Sequence, residues 1–240
     1  MTPAERKLRV YHVFSFICWL ILKVWNRMTA RGRENVPEQG GLIIAANHAS
    51  ILDPPIIGGA ILDRRVVRFM ARDTLYKPGL IKSLFTSLAT IPISREKGDL
   101  AALKRAIALL KEGYCVCLFP EGTRTPDGNL QEAKGGIGFL IAKAGVPVVP
   151  AYVWGTFYAL PRGASFIRPR KVGISYGKPI TPEEIAALGE GRDAYEKAGA
   201  LVMARIAGLK REVETGGLPR FWINRRLSMM MAFCPHRCYR

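Results

Sequence analysis

The stretch DLAALKRAIALLKEGYCVCLFPEGTR, residues 99–124, decides the fold. Leu100, Leu103, Ile107 and Leu110 recur at helical spacing, Asp99 stands where it can cap the first turn and Gly113 where it can end the last. A helix is therefore expected over Asp99–Glu112. Tyr114–Phe119 follows at once as a short apolar run and reads as a strand. Similar runs at Leu42–Ala46, Val66–Ala71, Thr90–Ser94 and Pro147–Val153 give four more strands. Helical candidates lie at Gly136–Lys143 and Pro182–Lys210, and Lys171–Tyr176 reads as an edge strand. This alternation defines an α/β class, a mostly parallel sheet flanked by helices.

Three regions follow. Residues 1–34 are expected to form a helical, membrane-associated segment, because Val10–Leu22 is nearly all apolar and is bracketed by Arg6, Lys7 and Arg9 before it and Lys23 and Arg27 after it. The run is shorter than the roughly 20 residues a spanning helix needs. It also lacks a small-residue cleavage site, so a helix lying in one leaflet is favoured over a signal peptide, with a helix docked on the domain as the alternative. Residues 35–215 form the α/β domain. Residues 216–240 form a basic, aromatic tail after the break at Gly216-Gly217-Leu218-Pro219.

Composition narrows the partners. The chain has 36 Lys and Arg against 19 Asp and Glu, a formal net charge of +17, which calls for an anionic partner. The five cysteines are an odd number, two of them inside the apolar Tyr114–Phe119 run, and fit a reduced compartment. Cys234-Pro235-His236-Arg237-Cys238 lacks a fourth ligand and matches no zinc-finger spacing, so no metal is expected. Gly173-Ile174-Ser175-Tyr176-Gly177 has the letters of a nucleophile elbow, but Lys178-Pro179 follows where a helix is required.

In open α/β sheets, ligands bind beyond the carboxyl ends of the strands. Asn47-His48, Arg72, Arg95 and Pro120-Glu121-Gly122-Thr123-Arg124 all follow expected strands, so they converge on one crevice. His48 and Asp53 are five residues apart, roughly 140° around a continuous helix, so a shared helical face is excluded. A turn after the strand could instead bring the Asp53 carboxylate to one imidazole nitrogen, with Pro54 holding Asp53 extended and ready to cap a following helix. An imidazole so oriented is suited to take a proton from an alcohol near neutral pH. Arg124, Arg95 and Arg72 could hold a phosphate through forked hydrogen bonds, Glu121 could accept from a substrate hydroxyl, and N–H groups around Gly122 could face an oxyanion.

Four ordered blocks resemble the glycerolipid acyltransferases typified by 1-acylglycerol-3-phosphate O-acyltransferase. They are Asn47-His48 with Asp53, Ile91-Pro92-Ile93-Ser94-Arg95, Phe119-Pro120-Glu121-Gly122-Thr123-Arg124 and Val146-Pro147-Val148-Val149-Pro150. The resemblance spans about residues 35–180. It implies a His48–Asp53 catalytic pair, with Arg95, Glu121, Gly122, Thr123 and Arg124 at the acceptor; Arg72 stands where the family often has lysine. It also implies acyl transfer from an acyl-CoA or acyl carrier protein thioester to a lysophospholipid, without an acyl-enzyme and with no other cofactor. The expected partners are an anionic membrane surface, both substrates and an acyl carrier protein, not nucleic acid, and the expected location is the cytoplasmic face of a membrane. A different polar lipid acceptor, a thioesterase and a non-catalytic membrane binder are the alternatives.

Overall fold

The structure is a computed structural model that describes residues 3–72, 90–93 and 100–216. In chain order it contains α1 (Pro3–Trp25), β1 (Thr29–Arg31), β2 (Leu42–Ala46), α2 (Asp53–Ala60), β3 (Val67–Arg72), β4 (Ile91–Ile93), α3 (Leu100–Lys111) and β5 (Cys115–Leu118). These are followed by α4 (Gly135–Ala144), β6 (Val148–Trp154), a short helix α5 (Thr156–Ala159), β7 (Gly173–Tyr176), α6 (Pro182–Ala186) and α7 (Arg192–Thr215). The strands form one seven-stranded sheet in the order β1-β7-β6-β2-β5-β3-β4. Only the β6–β7 pair is antiparallel.

The central strands are apolar along their whole length because both faces are covered. Leu42, Ile44, Ala46, Cys115 and Cys117 point into a core closed by Ile56 and Ile57 of α2. Their neighbours Ile43, Ala45, Val116 and Leu118 point the other way, onto Leu103, Ala106 and Leu110 of α3 and onto Leu140 and Val202 of α4 and α7. Alternation with period two thus builds two cores from one strand. Burial pushes the Cys115 thiol up to about 12 and the Cys117 thiol well above its ordinary value, so both behave as packing groups.

Three expectations need correction. Gly173–Tyr176 is not an edge strand; it lies between β1 and β6 and is buried at all four positions. The edge belongs to Thr29–Arg31, three residues too short and polar to be read as a strand, which pairs with Gly173–Ser175 and brings part of the 1–34 stretch into the sheet. The helical stretch 182–210 is two helices, interrupted where Gly189 and Gly191 adopt φ values of 97° and 83°. Such backbone is open to glycine and strained for other residues.

Helix α1 docks on the domain along one face. Tyr11 and Leu22 are buried, and the Tyr11 hydroxyl accepts the Val67 N–H at 3.0 Å. The approach depends on Gly58 and Gly59 of α2, where an added Cβ would lie 3.1 Å from the Tyr11 hydroxyl and 3.1 Å from Trp19 Cβ, respectively. The opposite face exposes Val13, Phe16, Ile17, Leu20, Ile21 and Val24. No helix among the described residues is long and apolar enough to cross a membrane.

Candidate active site

Strands β2, β5, β3 and β4 are consecutive, parallel neighbours, so their carboxyl ends line one edge of the sheet. The chain leaving β2 forms the first part of the site. Asn47 is buried and continues the ladder with its side chain: Nδ2 donates to the Val153 carbonyl at 2.9 Å and Oδ1 accepts the Val153 N–H at 2.7 Å. His48 follows, fixed by its main chain before its side chain is considered. Its N–H donates to Glu121 Oε1 at 3.0 Å, and its carbonyl accepts the Thr125 N–H at 2.8 Å. The loop after β5 therefore frames His48 on both sides of its peptide unit.

The sequence expectation that Asp53 turns back to His48 is met in distance and corrected in backbone. Nδ1 of His48 lies 2.8 Å from Asp53 Oδ2. The same oxygen accepts the Ala49 N–H at 2.6 Å and the Ser50 N–H at 2.8 Å. Asp53 is not held extended; it is the first residue of α2, with Pro54 and Pro55 in the opening turn, where a missing N–H costs no helical hydrogen bond. The turn 49–52 closes the gap that a continuous helix could not. Because Oδ2 already accepts two main-chain N–H groups, Nδ1 is the ring nitrogen placed to donate to it, which leaves Nε2 as the nitrogen free of Asp53. Asp53 is fully buried, the His48 side chain is 19% exposed, and the imidazole stacks on Phe119 with ring centroids 3.9 Å apart.

Glu121, expected at a substrate hydroxyl, is engaged by the main chain of His48. It is 1% exposed, one carboxylate oxygen accepts the His48 N–H, and the other is buried with no hydrogen bond within 3.5 Å among the described residues. Burial pushes its carboxyl up to about 7, against the lowering effect of N–H groups from His48 and Gln131, with the Asp53 charge adding to the rise. A folded-state value above the unfolded one means that this group stabilises the fold in acid and loses that contribution as pH rises through about 7. We expect the difference in unfolding free energy between Glu121→Gln and the parent to shift in favour of the variant from pH 5 to pH 8, by up to about 3 kcal/mol. Denaturant titrations at the two pH values measure it, and parallel pH dependence of both proteins would refute it.

The remaining residues of the loop divide. Of the N–H groups around Gly122 expected to face an oxyanion, that of Gly122 itself donates to the Phe119 carbonyl at 2.9 Å inside the turn. Thr123 and Arg124 are half-buried beside it. Arg72 ends β3 opposite Ile93 in register, which places it at the same edge, whereas Arg95 lies outside the described residues. Sequence reasoning missed two contributors. Lys134 lies over Gly122, close enough that a Cβ there would meet its Cδ at 2.9 Å; a lone lysine before Gly135-Gly136 signals only a helix start. Thr125 was missed because its role is played by its main chain. No cluster of metal-ligating side chains occurs among the described residues.

A family model described as Acyltransferase matches residues 27–154, more than half of the chain. The chain belongs to this acyltransferase family. Among its relatives is the chloroplastic 1-acyl-sn-glycerol-3-phosphate acyltransferase BAT2 of Brassica napus, 30% identical over 182 residues, covering 73% of this chain and 52% of the relative. The 1-acyl-sn-glycerol-3-phosphate acyltransferase of Bacillus subtilis is 29% identical over 170 residues, 70% of this chain and 81% of the relative. The chain spans about half the length of the two chloroplastic plant relatives, from Brassica napus and Arabidopsis thaliana. The crystal structure of the 1-acyl-sn-glycerophosphate acyltransferase PlsC of Thermotoga maritima superposes with a TM-score of 0.70 at 28% identity, covering 88% of this chain and 84% of that one.

Proposed function

We propose that this protein transfers a fatty acyl group from an acyl thioester to the free hydroxyl of a lysophospholipid, most directly 1-acylglycerol 3-phosphate, giving phosphatidic acid. The observation that carries this reading is the 2.8 Å contact between His48 Nδ1 and a buried Asp53 that also accepts two main-chain N–H groups. In this mechanism Nε2 of His48 takes the acceptor's hydroxyl proton as the oxygen attacks the thioester carbonyl. The tetrahedral intermediate then collapses, the C–S bond breaks, and the imidazolium gives its proton to the departing sulfur, which leaves as the thiol and returns His48 to its neutral form. Asp53 stabilises the imidazolium while it exists. No acyl-enzyme is formed, and the thioester is the only co-substrate required. Family membership and the names of the relatives support the acceptor class.

Arg124, with Arg72 and Arg95, is assigned to the acceptor phosphate. A charge-assisted hydrogen bond contributes about 1.5–3 kcal/mol, so Arg124→Ala should raise the acceptor KM about 10- to 100-fold and leave the donor KM near its original value. Equal increases in both would contradict a phosphate role. The test of the overall reading is product analysis with lysophosphatidic acid, other lysophospholipids and glycerol 3-phosphate as acceptors. Acylated lipid is the expected product; free fatty acid in the presence of every acceptor would replace the reading with a thioesterase.

The outward apolar face of α1 and the charge of +17 support docking on the cytoplasmic face of an anionic membrane. Deleting the helix would also remove Tyr11 and Leu22 from the core, so the informative change is on the exposed side. Val13→Glu with Ile17→Glu should abolish flotation with vesicles containing phosphatidylglycerol while leaving the unfolding transition in place. Undiminished flotation would remove α1 as the docking surface.

A further inference from the structure

Asn47 and the residues of β6 line a cavity of about 900 Å³, to which Phe119 and Arg124 do not contribute. Its volume lies in the range of small-molecule sites, about 300–1,000 Å³. Tyr152 and Trp154 of β6 and Phe157 of α5 form an aromatic side. The lining also includes cations from two separate elements, Arg170 and Lys171 before β7 and Lys210 and Arg211 in the last turns of α7. Asn47 and Ala49, the residues flanking His48, also line it.

The lining holds four cations, Arg170, Lys171, Lys210 and Arg211, against two acids, Glu214 and Asp127. Glu214 is paired with Lys210 at 3.9 Å, and Asp127 is engaged by Asn129 and Thr125 within its own loop. No described carboxylate lies within ion-pair distance of Arg170, Lys171 or Arg211. The wall also contains Thr156, fully buried, whose hydroxyl has no hydrogen-bond partner among the described residues.

Planar aromatic surface together with guanidinium and ammonium groups that no described carboxylate pairs is the chemistry that holds a base and its phosphates. We propose that this cavity binds the nucleotide end of the acyl donor, a phosphorylated adenosine, making a coenzyme A thioester the substrate. The proposal rests on the acyl-transfer reading and adds the donor's identity. It also gives each substrate its own side of His48: the acceptor phosphate toward Arg124, the donor nucleotide toward β6 and α7. A concave site with an aromatic wall suits a base better than the convex acidic surface of a folded carrier protein.

The test compares wild type with Lys171→Glu and Arg211→Glu, both exposed positions, using acyl-CoA, acyl-N-acetylcysteamine and acyl carrier protein thioester with one lysophospholipid. Adenosine 3′,5′-bisphosphate is expected to compete with acyl-CoA and not with the acceptor. Each charge reversal is expected to raise the KM for acyl-CoA at least tenfold and to cut the preference for acyl-CoA over acyl-N-acetylcysteamine by a similar factor. Transfer from acyl-CoA with no competition by the bisphosphate, or with KM unchanged in both variants, would overturn the nucleotide site alone. Use of the carrier protein thioester only would overturn it as well. Absence of acylated product with every donor would instead overturn the acyl-transfer reading.

Discussion

His48→Ala is expected to lower acyl transfer by about 10²–10⁴-fold, the range for losing a general base, while leaving the fold and vesicle binding in place. The reason for expecting so clean a separation is that His48 is anchored through its peptide unit. The bonds from its N–H to Glu121 and from the Thr125 N–H to its carbonyl do not involve the imidazole. Truncation therefore removes the ring, its 3.9 Å stack on Phe119 and one of three hydrogen bonds to Asp53, but not the frame. Steady-state rates with a matched thermal unfolding curve measure the two effects. Transfer at the parental rate would eliminate His48 as the base, and a collapsed unfolding transition would mean that the ring is structural.

The route from sequence to this site was uneven for physical reasons. Strands buried on both faces must be apolar at every position, so β2 could be read to the residue, Leu42–Ala46, and α3 showed its one-sided stripe. The converging strand ends followed from the parallel topology. The His48–Asp53 contact was legible only as a capability, because it depends on a four-residue turn whose hydrogen bonds go to the carboxylate itself. The framing by Glu121 and Thr125 was hidden, since each acts on a main-chain group 73 or more residues away in sequence. Glu121 invited a substrate-facing reading because a charged residue in a loop is ordinarily exposed; its burial is a tertiary fact. For α1, sequence presented membrane contact and docking on the domain as alternatives. A helix apolar around most of its circumference buries Tyr11 and Leu22 and still exposes Val13, Ile17 and Val24, so docking on the domain does not use up its apolar surface.

Asp53 distinguishes charge from geometry, because all three hydrogen bonds of its carboxylate converge on Oδ2 and the buried Oδ1 has no partner among the described residues. In Asp53→Asn the amide oxygen is required to take the Oδ2 position, since an NH₂ there would face three donors. The imidazole then keeps its orientation and its Nδ1 proton but loses the negative charge that stabilises the imidazolium, while the NH₂ is buried without an acceptor. Asp53→Ala removes the acceptor altogether and leaves Nδ1 and the Ala49 and Ser50 N–H groups unsatisfied, each at about 1–3 kcal/mol if buried. The alanine variant should therefore lose several kcal/mol of stability together with about 10³-fold or more in kcat. The asparagine variant should lose less of both, with its rate falling about 10- to 100-fold, as a charge-assisted hydrogen bond becomes a neutral one. Denaturant unfolding and kcat measured on the same samples separate the two variants. Equal rate losses would show that the charge, not the turn geometry, carries the contribution of Asp53; an active Asp53→Ala would remove Asp53 from the mechanism.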